Sequence, residues 1–449
     1  AQGSHPAPGD LADDATAWDR VAADPGRIWE LRRLLRARLI EQARQRLRIS
    51  WRQRGASDAE LLWIDNVLDE NILTIGFARR VPSYKRLTLM LHDPVRLTEL
   101  LLDPDQPLQI VIAGKAHPAD EGGKLLIQRM VKFADDPRVR HRIVFLPDYD
   151  MAMARFLVQG CDIWLNNPLR PLEACGTSGM KAALNGGLNL SVLDGWWDEW
   201  FDGANGWAIP SADGVSDPSR RDELEAAALY DLLAHSVAPM FYDSANAGGP
   251  QRWLEMVAHT LRTLGPAAQA TRMVRQYVTE LYLPAARASA ALAAVAGGAD
   301  EGGGGAGAVT GARELAAWKR RVVSAWPGVR VEHVEADDAD LVPGGSLTIR
   351  ASVALGELTT GDVTVEVIYG RAGDSDEIID PMRRALTLDG RLSPDGAARY
   401  VGAVELGEPG PFGYTVRVLP SHPLLSSPAE LGLVSLPAMT AGMVNGDLR

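Results

Sequence analysis

From residue 71 to residue 168 the chain repeats one pattern, and that pattern leaves few ways to fold. "NILTIGFARR" is a β-branched run that ends in glycine and charge, and "YKRLTLMLHDPVRLTELL" then shows helical spacing. "LQIVIAGKAHPAD" and "EGGKLLIQRMVKFADD" repeat the pair, as do "RIVFLPDYD" and "MAMARFLVQGC", and "DIWLNNP" adds a further short strand. Strands that alternate with helices pair in parallel, because each helix carries the chain back across a sheet face. The spacing therefore predicts an α/β fold with a doubly wound parallel sheet. In such a sheet binding residues lie at the carboxyl ends of the strands, where the glycine and polar residues fall here.

Other segments frame this region. Residues 1–26 read as a disordered tail, and "RIWELRRLLRARLIEQARQRLRISWRQR" (27–54) as a long amphipathic helix. Helical segments continue to about residue 295, so the α/β domain is placed at 27–296. Residues 297–313, which include "GGADEGGGGAGAVTG", have the composition of a flexible linker. A helix, "ARELAAWKRRVVSAW", follows. "SLTIRASVAL", "VTVEVIYG", "AARYVGAVEL" and "FGYTVRVLP" then alternate apolar and polar residues between Gly, Pro and Asp turns, which predicts a small all-β sandwich within 314–440. The first residue is not methionine, which suggests part of a longer protein.

Charge narrows the function. The formal net charge of -12 argues against a general attraction to nucleic acid or to anionic membranes, so an anionic ligand needs a local cationic pocket. Cys161 and Cys175 are the only cysteines, too few for a disulfide framework or a zinc ligand set, and they fit a reducing compartment. No metal site is expected. No apolar run has the length of a membrane span and no signal peptide is visible, so a cytoplasmic location is expected.

Three loops carry chemistry. "RRVPSYKR" packs Arg79, Arg80, Lys85 and Arg86 behind a strand, which is either a phosphate cradle or a solvated basic turn. "GKAHPADEGGK" offers Lys115, His117 and Lys124, a weaker signal. "EACGTSGMKAALNGGLNL" (173–190) places Gly176, Thr177, Ser178 and Gly179 ahead of a helix start and Lys181 within a turn of it. A lysine amine beside an anion cradle suits covalent capture of an aldehyde cofactor bearing a phosphate, as in pyridoxal phosphate; a surface lysine on a helix face is the other reading. Downstream, "GWWDEWFDGANGW" gathers Trp196, Trp197, Trp200 and Trp207, indoles that stack on sugars or fill a core. Asp194 and Asp198 stand beside them as candidates for sugar hydroxyls.

"EACGTSGMKAALNGGLNLSVLDGWWDEWFDGANGWAI" closely resembles the cofactor-lysine region of α-glucan (glycogen, starch or maltodextrin) phosphorylases. "GFARRVPSYKR", "VIAGKAHPAD", "VFLPDYDMAMARFLVQGCDIWLNNP" and "FGYTVRVLPSHPLL" recur in the same order in bacterial members. The likeness spans roughly residues 25–430. It implies a Rossmann-like C-terminal lobe of a GT-B type glycosyltransferase, followed by the sandwich. It also implies pyridoxal 5'-phosphate on Lys181, with Arg79, Lys85, Thr177, Ser178 and Tyr149 around the cofactor. Arg80 would grip the substrate phosphate, and Glu173, Cys175 and Gly176 would contact the glucosyl unit. Catalysis would fall to Lys181, Arg80 and Lys85. Cys175 departs from the serine of many members, and Pro82 stands where muscle-type members have histidine.

The implied reaction is reversible phosphorolysis of α-1,4-glucan to glucose 1-phosphate. The resemblance covers only the C-terminal part of the family chain, and none of the eight histidines matches the sugar-contacting histidine of the N-terminal lobe. That lobe is an expected partner, a homodimer is compatible, and the isolated chain is expected to be inactive. Two alternatives stand beside this reading: a nucleotide-sugar-dependent GT-B glycosyltransferase, and a non-catalytic glucan-binding fragment.

Overall fold

A computed structural model of the chain describes residues 15–80, 83–243, 249–293, 310–337, 344–373, 377–392, 397–407 and 410–438. The chain divides into two units, Ala1–Gln276 and Tyr277–Arg449.

In the first unit α1 (Ala15–Ala22) and α2 (Pro25–Gln53) precede the sheet. The strands are β1 (Leu73–Arg80), β2 (Leu108–Lys115), β3 (Ile143–Leu146), β4 (Ile163–Asn166), β5 (Leu188–Val192) and β6 (Gly206–Ile209). Between them lie α3 (Pro94–Leu101), α4 (Glu121–Ala134), α5 (Met151–Gly160), α6 (Thr177–Ala183) and α7 (Trp196–Trp200), and α8 (Pro218–Leu232), α9 (Ala238–Tyr242), α10 (Gln251–Ala267) and α11 (Ala270–Gln276) follow. All strand pairs are parallel, in the order β3-β2-β1-β4-β5-β6. The winding reverses between β1 and β4, and a doubly wound sheet opens its ligand crevice at that switch point.

Both faces of the sheet are covered, as parallel pairing requires. Successive residues of β2 point to opposite faces: Ile110 and Ile112 join one core with Leu97, Met130 and Leu229, while Val111 and Ala113 join another with Leu39, Leu157 and Trp164. The arginines of α2 do not all face water. Arg32 and Arg36 are buried, and Arg36 Nη2 donates to Asp162 Oδ1 at 2.9 Å. Asp162 Oδ2 accepts from the Thr74 amide at 3.0 Å, so one buried carboxylate ties α2 to the starts of β1 and β4.

Part of the stretch expected to be a disordered tail, residues 1–26, is helical. Ala15–Ala22 is helical and Trp18 is buried against Gly265 of α10, because the indole finds an apolar partner far along the chain. Residues 1–14, most of the Gly-rich linker (294–309) and Pro82 lie outside the described residues.

In the second unit a π-helical turn, Tyr277–Tyr282, leads into α12 (Leu283–Ala293), and α13 (Thr310–Ala325) follows. The strands are β7 (Arg330–Ala336), β8 (Ser346–Ala354), β9 (Val363–Ala372), β10 (Ile378–Ala385), β11 (Thr387–Leu392), β12 (Ala398–Glu405) and β13 (Phe412–Pro420). They form two antiparallel sheets, β10-β9-β13 and β11-β12-β8-β7. Alternate residues of β8 and β9 (Leu347, Ile349, Val365, Val367) fill a common core. Asp362 fastens α13 to it, accepting from Trp318 Nε1 at 2.7 Å and Arg321 Nη1 at 2.9 Å. Among the described residues no helix is long and apolar enough to cross a membrane.

Candidate functional site

Arg79 occupies the carboxyl end of β1, at the switch point. It is 8% exposed, and its Cζ lies 4.9 Å from the Phe77 ring centre. Nη2 donates to Asn166 Oδ1 at the end of β4, while Nε and Nη1 are buried with no partner among the described residues. Burial pushes the guanidinium down to about 10, opposed by Glu173, Tyr84 and Tyr149 nearby. A buried cation with two unmet donors is costly, and an arginine fork in that condition is shaped to take phosphate or carboxylate oxygens.

The remaining cations of "RRVPSYKR" have different fates. Arg80 ends β1 exposed to solvent. Lys85, in the 3-10 turn Ser83–Lys85, donates to Glu173 Oε1 at 2.7 Å and also reaches Oε2. Arg86 leaves the expected cradle altogether. Its backbone sits at φ 48°, and its guanidinium donates to the carbonyls of Asn167 (3.0 Å) and Pro168 (2.8 Å) and to Asp222 (3.0 Å) and Glu225 (2.5 Å). It clamps the strand-end loops to α8, a structural task.

Residues 173–176 are held from below by Asp194, in the turn after β5. Its Oδ2 accepts from the Glu173 amide at 2.9 Å and its Oδ1 from the Gly195 amide at 3.0 Å. Gly195 is at φ 59°, and a Cβ there would lie 2.7 Å from the Cys175 carbonyl oxygen, so glycine is required for the close approach. Gly176, at φ 80°, precedes α6, and a Cβ on it would strike Glu173 Oε1 at 2.6 Å. Glu173 is buried and Cys175 exposed; burial, then the carboxylates of Glu199 and Glu173, push the Cys175 thiol up. In α6 Thr177 is exposed, and Ser178 Oγ accepts from Trp164 Nε1 at 3.1 Å. Lys181 lies on the same helix with its amine exposed and without an ion-pair or hydrogen-bond partner among the described residues. Tyr149 is half-buried beyond β3, where burial pushes its phenol up and the Arg79 charge opposes it.

The structure thus gathers Arg79, Lys85, Glu173 and Tyr149 and orients the 173–176 loop beside them. Two contributors escape the sequence reading. Asn166 and Asn167 are visible only as "NN" at a strand end, yet both are buried at the switch point. Asp194, read as a sugar contact, spends both oxygens on backbone amides. Trp196, Trp197 and Trp207 are core residues: Trp196 meets Trp197 edge-on at 5.0 Å, and Trp207 Nε1 donates to Ser236 at 2.8 Å. Asp198 lies 3.7 Å from Arg170. In the "GKAHPADEGGK" loop Lys115 is exposed, His117 Nδ1 accepts from the Ala119 amide at 3.1 Å, and Lys124 pairs with Glu121 at 2.6 Å, all local contacts.

The strand order places an under-partnered arginine at its reversal in a doubly wound α/β unit. Comparison makes this specific. Residues 24–199 match the family model described as "Carbohydrate phosphorylase", and residues 326–438 match "Glycogen phosphorylase C-terminal domain". The chain belongs to the carbohydrate phosphorylase family. It is 54% identical over 431 residues to a glycogen phosphorylase of Mycobacterium tuberculosis (strain CDC 1551 / Oshkosh), covering 95% of this chain and 48% of that protein. It is 42% identical over 274 residues to a glycogen phosphorylase of Aquifex aeolicus (61% of this chain, 39% of that protein). A maltodextrin phosphorylase of Thermococcus litoralis is 37% identical over 373 residues (82% and 42%). The chain therefore spans about half the length of the mycobacterial relative.

Proposed function

We propose that this chain is the cofactor- and phosphate-binding part of an α-1,4-glucan phosphorylase, the C-terminal lobe of a GT-B type enzyme. It works with a complementary N-terminal lobe, in the cytoplasm, converting glycogen or maltodextrin and inorganic phosphate to glucose 1-phosphate. One observation carries the reading: Arg79 is buried at the switch point with Nε and Nη1 unmatched. A phosphate group offers the missing acceptors, so the residues present fit pyridoxal 5'-phosphate.

Lys181 would hold that cofactor covalently, with Arg79, Lys85, Thr177, Ser178 and Tyr149 around it. Bound there, it supplies a phosphate that exchanges protons with the substrate phosphate. The chain's own residues supply the rest. Ser178 Oγ already accepts from Trp164, which leaves its hydroxyl proton to donate to an anion. Lys85 has three donors and Glu173 takes two, so one N–H remains for a phosphate oxygen. Arg80, exposed at the end of β1, is suited to grip the substrate phosphate. Two phosphates a few ångströms apart repel, and the Arg79, Arg80 and Lys85 charges offset that repulsion. Glu173, fixed by Lys85 and Asp194, keeps lone pairs for sugar hydroxyls, which orients the glucosyl carbon toward the phosphate as the bond to the leaving oxygen breaks.

Borohydride reduction of the chain with pyridoxal phosphate, followed by peptide mass mapping, tests the proposal. The label belongs on Lys181 and is lost in Lys181→Ala. Glucose 1-phosphate release requires the complementary lobe. An unlabelled Lys181 in the reassembled two-lobe protein would refute the assignment.

A further inference from the structure

The first unit has a cavity of about 270 Å³ along the exposed edge of the sheet, and it shares no lining residue with the anion site. Its floor is the edge strand β3 together with aliphatic residues of α4. Its walls are Trp51, near the end of α2, and Trp63, in the 3-10 helix Ala59–Asn66. The two indoles are half-buried and meet edge-to-face with ring centres 5.6 Å apart. Each carries a guanidinium 4.5 Å from its ring: Arg54 on Trp51 and Arg140 on Trp63.

The rim is polar and only partly matched. The Arg140 guanidinium has no hydrogen-bond or ion-pair partner among the described residues, although the Arg140 amide donates to the Asp136 carbonyl at 2.8 Å. Arg54 Nη1 lies 4.0 Å from Asp135, and its other contacts to Ser50 are long, at 3.4 Å. A guanidinium stacked on an indole keeps its N–H edge open, and that edge suits a carboxylate or phosphate. Burial pushes the Asp135 carboxyl up, opposed by the charges of Arg54 and Arg140. An apolar pocket bordered by two indoles in edge-to-face contact, with two guanidinium groups and one carboxylate on its rim, suits a small aromatic ring that carries a negative substituent for the arginines.

We propose that this cavity binds a small planar aromatic or heteroaromatic ligand, of one or two rings, carrying a single carboxylate or phosphate at the Arg54–Arg140 rim. Its size, just below the usual range of roughly 300–1,000 Å³ for small-molecule pockets, excludes larger ligands. The inference does not depend on the phosphorylase reading.

Tryptophan fluorescence and calorimetric titration of the 449-residue chain with 1-naphthoate, 1-naphthyl phosphate and the neutral 1-naphthalenemethanol test it. The anionic probes should saturate in the roughly millimolar range expected of ligands this small, about tenfold tighter than the alcohol. The tighter of the two anions identifies the favoured group. Arg140→Gln should weaken the anions about tenfold and leave the alcohol unchanged, and Trp63→Leu should weaken all three. Lys181→Ala should change nothing. Nuclear Overhauser contacts from the naphthoate ring to the Ile143 and Val144 methyls locate the probe even where a tryptophan variant folds poorly. Equal binding of acid and alcohol, no effect of Arg140→Gln, or a maltooligosaccharide that displaces naphthoate would each overturn the proposal.

Discussion

Replacing Arg79 with methionine should stabilise the ligand-free chain while weakening its hold on phosphate. Folding lowers the Arg79 guanidinium from its ordinary value to about 10, chiefly by burial. At about 1.4 kcal/mol for each tenfold change in proton affinity, the folded state disfavours this charge by roughly 3–4 kcal/mol. The sign follows from the direction. A base held less tightly protonated when folded than when unfolded destabilises the fold throughout the range below pH 10, and the penalty fades only above it. Methionine fills similar space without a charge. It forfeits the charge-assisted bond to Asn166, worth about 1.5–2 kcal/mol, and the contact with Phe77, worth about 0.5–1 kcal/mol. The balance is a gain of about 1 kcal/mol, or a rise of about 2–4 °C in melting temperature for a unit of this size. Pyridoxal phosphate at a hundred times its Kd adds about 2.7 kcal/mol to the parent chain, and about 1.4 kcal/mol or less to a variant that binds it tenfold or more weakly, so the order of melting temperatures reverses. Scanning calorimetry with and without the ligand reads both effects. A variant that melts several degrees lower without ligand, or that gains as much from pyridoxal phosphate as the parent, refutes the reasoning.

Three further outcomes are expected. Asp162→Ala leaves Arg32 and Arg36 buried without their carboxylate, so urea denaturation of the first unit should show a loss of about 3–5 kcal/mol. Asp362 is held well below the usual carboxylate range, foremost by its hydrogen bonds from Arg321. Its contribution is therefore present above the ordinary carboxylate value and lost as pH falls below it. Trp318 fluorescence during denaturation at a series of acid pH values should show that loss in the parent and little of it in Asp362→Asn, which is already weaker at neutral pH by about 2 kcal/mol. Asp194→Ala frees the Glu173 amide, so hydrogen exchange there should speed by about tenfold or more and labelling of Lys181 should slow. Unchanged exchange at Glu173 would show that Asp194 does not hold the loop.

What the sequence reveals and what it hides differ by distance along the chain. β1 and β2 are legible because strands buried on both faces read as unbroken apolar runs, and the alternation with helices makes them parallel. β5 and β6 are no shorter than β3 and β4, but helices of only seven and five residues, α6 and α7, precede them, so the strand–helix alternation that marks the earlier strands fades there. The reversal of strand order between β1 and β4 leaves no local trace at all, yet it decides where the site lies. The same division runs through "RRVPSYKR". Its residue types announce an affinity for anions, but each side chain's role is assigned by partners elsewhere. Arg86 is drawn into structure by Asp222 and Glu225, 136 and 139 positions away, and Lys85 is met by Glu173, 88 positions away. Arg79 is singled out by what folding fails to give it: three nitrogens at the end of a buried strand and one protein acceptor, Asn166. A cluster of cations in a sequence becomes a candidate site only where the fold leaves one of them short of acceptors, and in this chain that shortage falls on the strand that borders the switch point.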